Sequence, residues 1–430
     1  MSTEPDNAVH PMSLIVIGET IVNVTYRCAA PAEGGWQPPY ASFDEEYLER
    51  RGDNLEPSVT LQGVLPIAEY WRQARPTERI TVCTAVATDE LDYGQIPNAF
   101  GCDCYTLGRH YVAPVVLRVL RIPQPRVGNV SRRQRPHLRI DRVGDHPADF
   151  DAVLDKAIAQ PYSGRRVCLV RAVTPRFFGC DPKQVLETIQ GLQQQLQKAK
   201  VELILDIRPL PKDLQILDRS TIVSSTIQRL RELTDMKDGE KYKDRHVILG
   251  AFWKLSPARG VLCFSSFGRP AGAELPDGVN EPVGALFCLR DDGDPALAQV
   301  YSIKVPKPIE TDFPDAGAAT GGDAFLAAFA TEWLCGSTTK RGSEAEKACA
   351  KKALAMAGTA LQKTMEQRFG TYVQHAALQN AQLQGVEEDG ERDPRGSRLD
   401  RIKTAIDQKM NTTWERTKVI GGACFRLYVR

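Results

Sequence analysis

The sequence predicts an α/β fold: a mostly parallel sheet with helices on both faces and a small accessory sheet outside it. Three observations carry this reading. Short, continuous apolar runs recur along the 430 residues, as strands buried on both faces require. Segments with helical periodicity separate them, at the spacing of βαβ units. A third group of segments alternates apolar and polar residues and belongs to half-exposed strands.

Taken in order, Leu14–Ile17 is an apolar run ending at Gly18, a buried strand leading into a turn. Residues 28–57 are rich in Pro, Gly and charge and read as an excursion. From Val59 to Arg72, Leu61, Val64, Leu65, Ala68 and Trp71 can share one helical face. Pro66 lies inside that pattern and predicts a kink or a late start. Arg79–Val86 is a second buried strand. Within 106–142, Val115–Ile122 alternates, and these strands are assigned to the accessory sheet. Phe150–Ala159 is a helix, Val167–Val173 a strand, Pro182–Ala199 a Gln-rich amphipathic helix and Val201–Leu205 a strand. Val261–Ser265 and Ala285–Cys288 add two strands, and Ser343–Leu361 an alanine-rich helix. Residues 385–398 form a polar run with no means of burying a core. Beyond it, Leu399–Met410 reads as a short helix and Lys418–Val429 as a closing strand or hairpin.

Composition narrows the function. Hydrophobic residues make up 42% and charged residues 25%, enough apolar content for a substantial core. Lys plus Arg is 55 against 54 for Asp plus Glu, so no bulk field recruits nucleic acid. No apolar run approaches the roughly 18 residues of a transmembrane helix. The first residues lack the basic start of a secretory signal, and a cytoplasmic protein is expected. The 11 cysteines include no CxxC pair, and the 6 histidines no HExxH, so core thiols are expected rather than zinc.

The chemistry-bearing stretch is Asp315–Phe329, Asp-Ala-Gly-Ala-Ala-Thr-Gly-Gly-Asp-Ala-Phe-Leu-Ala-Ala-Phe. A small-residue loop opening an alanine-rich helix suits a phosphate, because the first N–H groups of a helix lack internal partners and meet its positive dipole end. Asp323 would repel a resting phosphate, so its use lies in touching the attacking hydroxyl. The plainer alternative is a tight loop with a capping acid.

Here the sequence resembles the ribokinase-like, or PfkB-type, carbohydrate kinases. Thr320-Gly-Gly-Asp-Ala-Phe325 is similar to the end of their second signature. Leu14–Asn23 resembles their opening strand, Ala85–Gly94 their Val-Gly-x-Asp-x-x-Gly segment, and Phe100–Asp103 the Gly-Val-Asp after it. Leu205-Asp-Ile-Arg208 is similar to the Asp-x-Asn-x-Arg strand end, and Cys263–Gly268 sits where the family has a nucleotide-site turn. These pieces are collinear.

The resemblance implies a ribokinase-like three-layer α/β/α sandwich over 14–378, with a β-sheet lid from parts of 20–55 and 104–142 and a C-terminal extension over 379–430. It implies ATP and Mg²⁺ as cofactors and a hydroxyl of a sugar or nucleoside-like substrate as acceptor. Asp323 would be the base, and the backbone of Thr320, Gly321 and Gly322 the anion hole. Asn23 and Arg208 would contact substrate, Ser266 and Gly268 the nucleotide, and Gln228 would stand in the metal's outer shell. Lid-to-lid homodimers occur in the family; neither a membrane nor nucleic acid is an expected partner.

The departures from the pattern point one way. The signature's leading Asp-Thr falls at Gly317-Ala318, and its first glycine is Thr320. The opening-strand Asp is Asn23, which loses the charge that would strengthen a bond to a sugar hydroxyl. The Gly-Gly-x-x-x-Asn segment is poorly matched at Gln62-Gly63, and Asn-x-x-Glu becomes Ser225-Thr-Ile-Gln228. Two readings follow: a divergent phosphotransferase, or a catalytically impaired kinase fold retained for binding, regulation or assembly. Eight arginines between 118 and 142, offset there by Asp141 alone, read as a solvated lid loop, since aromatic residues for base stacking are missing from the segment; the alternative is a site for a phosphorylated ligand or nucleic acid.

Overall fold

The computed structural model describes residues 12–29, 58–86, 102–107, 115–122, 138–141, 150–159, 162, 164–172, 177–179, 181–207, 211–236, 244–264, 285–290, 298–303, 314–336 and 343–366. Among them, twelve strands form one sheet. The strands are β1 (Met12–Ala29), β2 (Ser58–Gly63), β3 (Arg79–Val86), β4 (Asp103–Thr106), β5 (Val115–Ile122) and β6 (Leu138–Asp141). They continue as β7 (Arg165–Ala172), β8 (Glu202–Ile207), β9 (Thr221–Thr226), β10 (Gly260–Phe264), β11 (Ala285–Arg290) and β12 (Ala298–Ile303). The helices are α1 (Val64–Ala74), α2 (Phe150–Ala159), α3 (Pro182–Lys198), α4 (Ile227–Thr234), α5 (Asp244–Lys254), α6 (Pro314–Gly336) and α7 (Glu344–Glu366).

The main path runs β12-β11-β10-β9-β8-β7-β1-β3-β4. From β10 through β4 every pair is parallel, while β11 and β12 close one edge antiparallel. Two apolar layers flank the sheet. Leu14, Val16, Val167 and Leu169 pack against α1, α6 and α7. Ile15, Ile17, Cys168 and Val170 pack against α2, α3, α4 and α5. Neighbouring residues of one strand thus feed opposite cores, as the unbroken apolar runs require. Of the seven cysteines whose side chains are described, all free thiols, six are buried and Cys104 is half-buried. Burial pushes the Cys102 thiol up to about 11 and that of Cys104 up to about 12. No described helix is long and apolar enough to cross a membrane.

Two local expectations change. The strand at Leu14–Ile17 does not turn at Gly18; β1 continues to Ala29. A Cβ at Gly18 would lie 2.3 Å from the carbonyl oxygen of Arg171, so glycine here permits close approach of β7. The helix beginning near Val59 starts instead at Val64, after a strand. Pro66 then falls in the first turn, where a missing N–H costs no bond. β4 pairs with β3 and belongs to the main sheet, whereas β2 pairs with β1 and lies outside the expected 20–55. β2 and β5 flank the outer half of β1, and β6 pairs with β5, off the main path. The C-terminal extension falls outside the described residues.

Candidate functional site

The carboxyl ends of β7 and β8, with the middle of β1 beside them, carry a polar row set by register. Thr84, Gly18, Arg171, Asp206 and Ser224 are aligned across β3, β1, β7, β8 and β9. Alternation places them on the face covered by α1 and α6, continuing the line of Leu14, Val16 and Leu169. Thr84 and Thr20 share a hydroxyl hydrogen bond of 2.9 Å.

Asp323 reaches this row from α6. Its Oδ1 accepts from Arg171 Nε at 2.7 Å, and its Oδ2 accepts from the backbone N–H of Gly63 at 2.7 Å. Arg171 Nη1 also donates to Asp206 Oδ2. Asp323 has no exposed surface, and Arg171 and Asp206 are each 2% exposed. Gly63 is the residue preceding α1, so the carboxylate satisfies one of that helix's free N–H groups at the positive end of its dipole. Glycine is needed there: its φ is +91°, and a Cβ would lie 1.8 Å from the carbonyl oxygen of Glu19. Burial acts against the Arg171 charge, but Asp206 and Asp323 outweigh it and raise the pKa above the ordinary arginine value. The result is a closed ion triad, Asp206–Arg171–Asp323, in which both oxygens of Asp323 are already engaged.

The expected anion loop takes another form. Helix α6 begins at Pro314, so Thr320, Gly321 and Gly322 lie inside it, beyond the first turn. Helix interiors spend their N–H groups on carbonyls four residues back, and only the first turn leaves them free. The cause is local: Pro314 suits a helix start, and Ala316, Ala318 and Ala319 favour helix over loop.

Of the remaining expected residues, Asn23 and Gln228 are among the described ones. Asn23 lies in β1 opposite Thr60 of β2 and Val116 of β5. Gln228 is exposed in the first turn of α4. Ser225 is buried and donates from Oγ to the carbonyl of Ile207 at 3.2 Å, a structural bond. Arg208, Ser266 and Gly268 lie outside the described residues. No group of three or more His, Cys, Asp or Glu placed to hold a metal occurs among the described residues.

Sequence reasoning missed Arg171. The signal was present: one arginine in Val-Cys-Leu-Val-Arg-Ala-Val, a run apolar enough to be buried on both faces. A charge in such a strand requires a buried partner. Which acid it meets depends on α6, 152 residues away in the chain.

No family model and no curated protein matches the sequence. Solved structures do. Ribokinase from Giardia lamblia superposes with a TM-score of 0.53 at 8% identity, covering 86% of this chain and 98% of that one. Ribokinase from Arabidopsis thaliana, complexed with ribose and ATP, gives 0.47 at 14% identity, with 86% and 98% covered. Adenosine kinase from Trypanosoma brucei brucei gives 0.48 at 11% identity, with 82% and 99% covered. At such identity the likeness concerns architecture, and the order of the strands, the two helical layers and the superposition on the Giardia enzyme together identify this chain as one of ribokinase-like fold.

Proposed function

We propose that this is a kinase-fold protein that binds a small molecule and transfers phosphoryl groups poorly or not at all. The carrying observation is the state of Asp323. A general base must come within hydrogen-bond reach of the hydroxyl it deprotonates. Asp323 is fully buried and spends one oxygen on Arg171 and the other on Gly63. Freeing it would break the bond from the Gly63 N–H and the buried charge-assisted bond from Arg171, which Asp206 would still partner, at about 1–3 kcal/mol each. The altered residues at Asn23, Thr320 and Gln228 point the same way.

The phosphotransferase reading keeps one supporting observation. Asp323 stands at the carboxyl ends of parallel strands, where open α/β sheets bind ligands. In that reading ATP and Mg²⁺ bind nearby, Asp323 serves as base for a sugar or nucleoside hydroxyl, and residues 320–322 stabilise the transferred phosphoryl group.

ADP release from Mg²⁺-ATP across a panel of sugars and nucleosides separates the two. The expected result is no substrate-dependent release, with wild type and Asp323→Asn indistinguishable. Release that depends on one acceptor and disappears in Asp323→Asn would restore the phosphotransferase. Melting-temperature shifts with the same panel report binding independently of turnover.

A further inference from the structure

The Asp206–Arg171–Asp323 triad buries two negative charges against one positive. A tie between α6 and the sheet needs Arg171 and Asp323 alone, and a neutral pair between strands needs Arg171 and Asp206 alone. Holding both acids on one guanidinium leaves a net negative charge in the core. An unbalanced buried charge is costly, so the arrangement calls for a reason beyond packing.

Ser224 shows which way Asp206 is committed. Its position in β9 is aligned with Asp206 in β8, on the same face of the sheet. Ser224 is fully buried, and its hydroxyl makes no hydrogen bond among the described residues. An unpaired buried hydroxyl is destabilising, yet Asp206 accepts from Arg171, on its other side. That bond fixes Nη1 of a planar group, and planarity then sets where Nε lies. Nε meets Asp323 Oδ1 at 2.7 Å.

Gly18 lets the two donors of Asp323 converge. A Cβ there would lie 2.3 Å from the carbonyl oxygen of Arg171 and 2.9 Å from Cγ1 of Val64, the residue after Gly63. Without that side chain, β7 and the start of α1 close in on β1 from two sides. Arg171 and Gly63 then take opposite oxygens of one carboxylate. Gly63 engages a single oxygen, so its N–H alone orients Asp323 and leaves Oδ1 open. Arg171 is what closes Oδ1.

We propose that Arg171, positioned by Asp206, is an autoinhibitory latch that withdraws the Asp323 carboxylate from reaction. The inference rests on the proposed reading of weak transfer and names the residue that imposes it. Asp206 is a positioning residue, acting on Asp323 only through the guanidinium. Because Arg171 and Asp206 form a neutral pair, the latch is removable as a unit: deleting both leaves the net buried charge as it was and returns Oδ1 to use.

The test compares the full-length wild type with the double variant Arg171→Met/Asp206→Leu and with Asp206→Leu alone. Glycinamide coupling by a water-soluble carbodiimide, mapped by peptide mass spectrometry, reads how reachable each carboxylate is. Asp323 should be modified at least about tenfold faster in the double variant, the scale of one lost charge-assisted bond. Asp206→Leu alone should not speed it, because Arg171 then has Asp323 as its remaining partner. Glu346, buried against Arg259 at the opposite end of the sheet, should stay as protected as in wild type. The double variant should unfold in urea near the wild-type midpoint, since apolar groups replace a complete pair. Arg171→Lys keeps the charge and loses the fork, so it too should speed labelling of Asp323, and it serves should the double variant not fold. Asp323 labelling unchanged in the folded variants overturns the latch, as does Glu346 labelling that rises in parallel, which would mean general loosening. Acceptor-dependent ADP release by the wild type would overturn the reading of weak transfer, whereas the labelling ratio between variant and wild type judges the latch separately.

Discussion

Two buried arginines occupy opposite ends of the same sheet. Arg171 is the penultimate residue of β7 and bridges Asp206 and Asp323 at the carboxyl ends of the strands. Arg259 immediately precedes β10 and grips Glu346, in the first turn of α7, through Nε at 3.1 Å and through Nη2. Arg259 also donates its backbone N–H to Thr221 at 2.7 Å, at the amino end of β9. Both guanidinium groups are nearly inaccessible, at 2% and 3% exposure. The bonds are alike, but the locations differ. Parallel sheets bind ligands beyond their carboxyl ends, so the Arg259 pair reads as a tie between α7 and the sheet. The same kind of pair at Arg171 occupies ground where a ligand would otherwise meet Asp323.

The largest effects should come from breaking the two ties. Arg171→Gln and Arg259→Gln should each lose about 3–5 kcal/mol in urea denaturation, since each strands buried carboxylates. If the ends differ in kind, only Arg171→Gln alters ligand-dependent stabilisation; equal ligand effects would erase the distinction. Gly63→Ala comes next, at roughly 2 kcal/mol or more, because a left-handed backbone and the Glu19 carbonyl both resist a Cβ. It should also weaken the Asp323 contact, visible as a matching loss when combined with Asp323→Asn.

Asp323→Asn alone should cost about 1–2 kcal/mol. The amide oxygen can still accept from Gly63, but the charge facing Arg171 is gone. A variant that melts at or above the wild-type temperature would argue that Asp323 is held for chemistry rather than for the fold. The smallest effect belongs to Gln228→Glu. The position is exposed in the first turn of α4, so stability should change by no more than about 0.5 kcal/mol. Turnover with Mg²⁺-ATP should stay at background; a rise would mean that a metal lies near that turn.

Much of the sheet was legible because burial on both faces leaves a dense apolar signal. Val167–Val173 and Arg79–Val86 match β7 and β3 to within about two residues, the usual boundary uncertainty. Strand β9 escaped notice because Thr221–Thr226 carries Ser224, Ser225 and two threonines, and reads as polar although the first five residues are buried. The helices after it, α4 and α5, were missed with it. The site was half legible. Asp323 was found from the small residues beside it, and the Leu205-Asp-Ile-Arg208 segment drew attention to the neighbourhood of Asp206. The state of Asp323 was not legible, because a motif records residue types in order and says nothing of what faces them.

The sequence by itself determined the alternation of strands and helices and the collinear motif order, because local periodicity and turn residues act over a few residues. It also placed an acid beside glycines on an alanine-rich helix. Tertiary structure decided that α6 starts at Pro314, that Gly63 turns its N–H toward Asp323, and that Arg171 stands between Asp323 and Asp206. These contacts join residues as many as 260 positions apart. Buried charges must find partners wherever the packed layers bring them, and that requirement has no local signature.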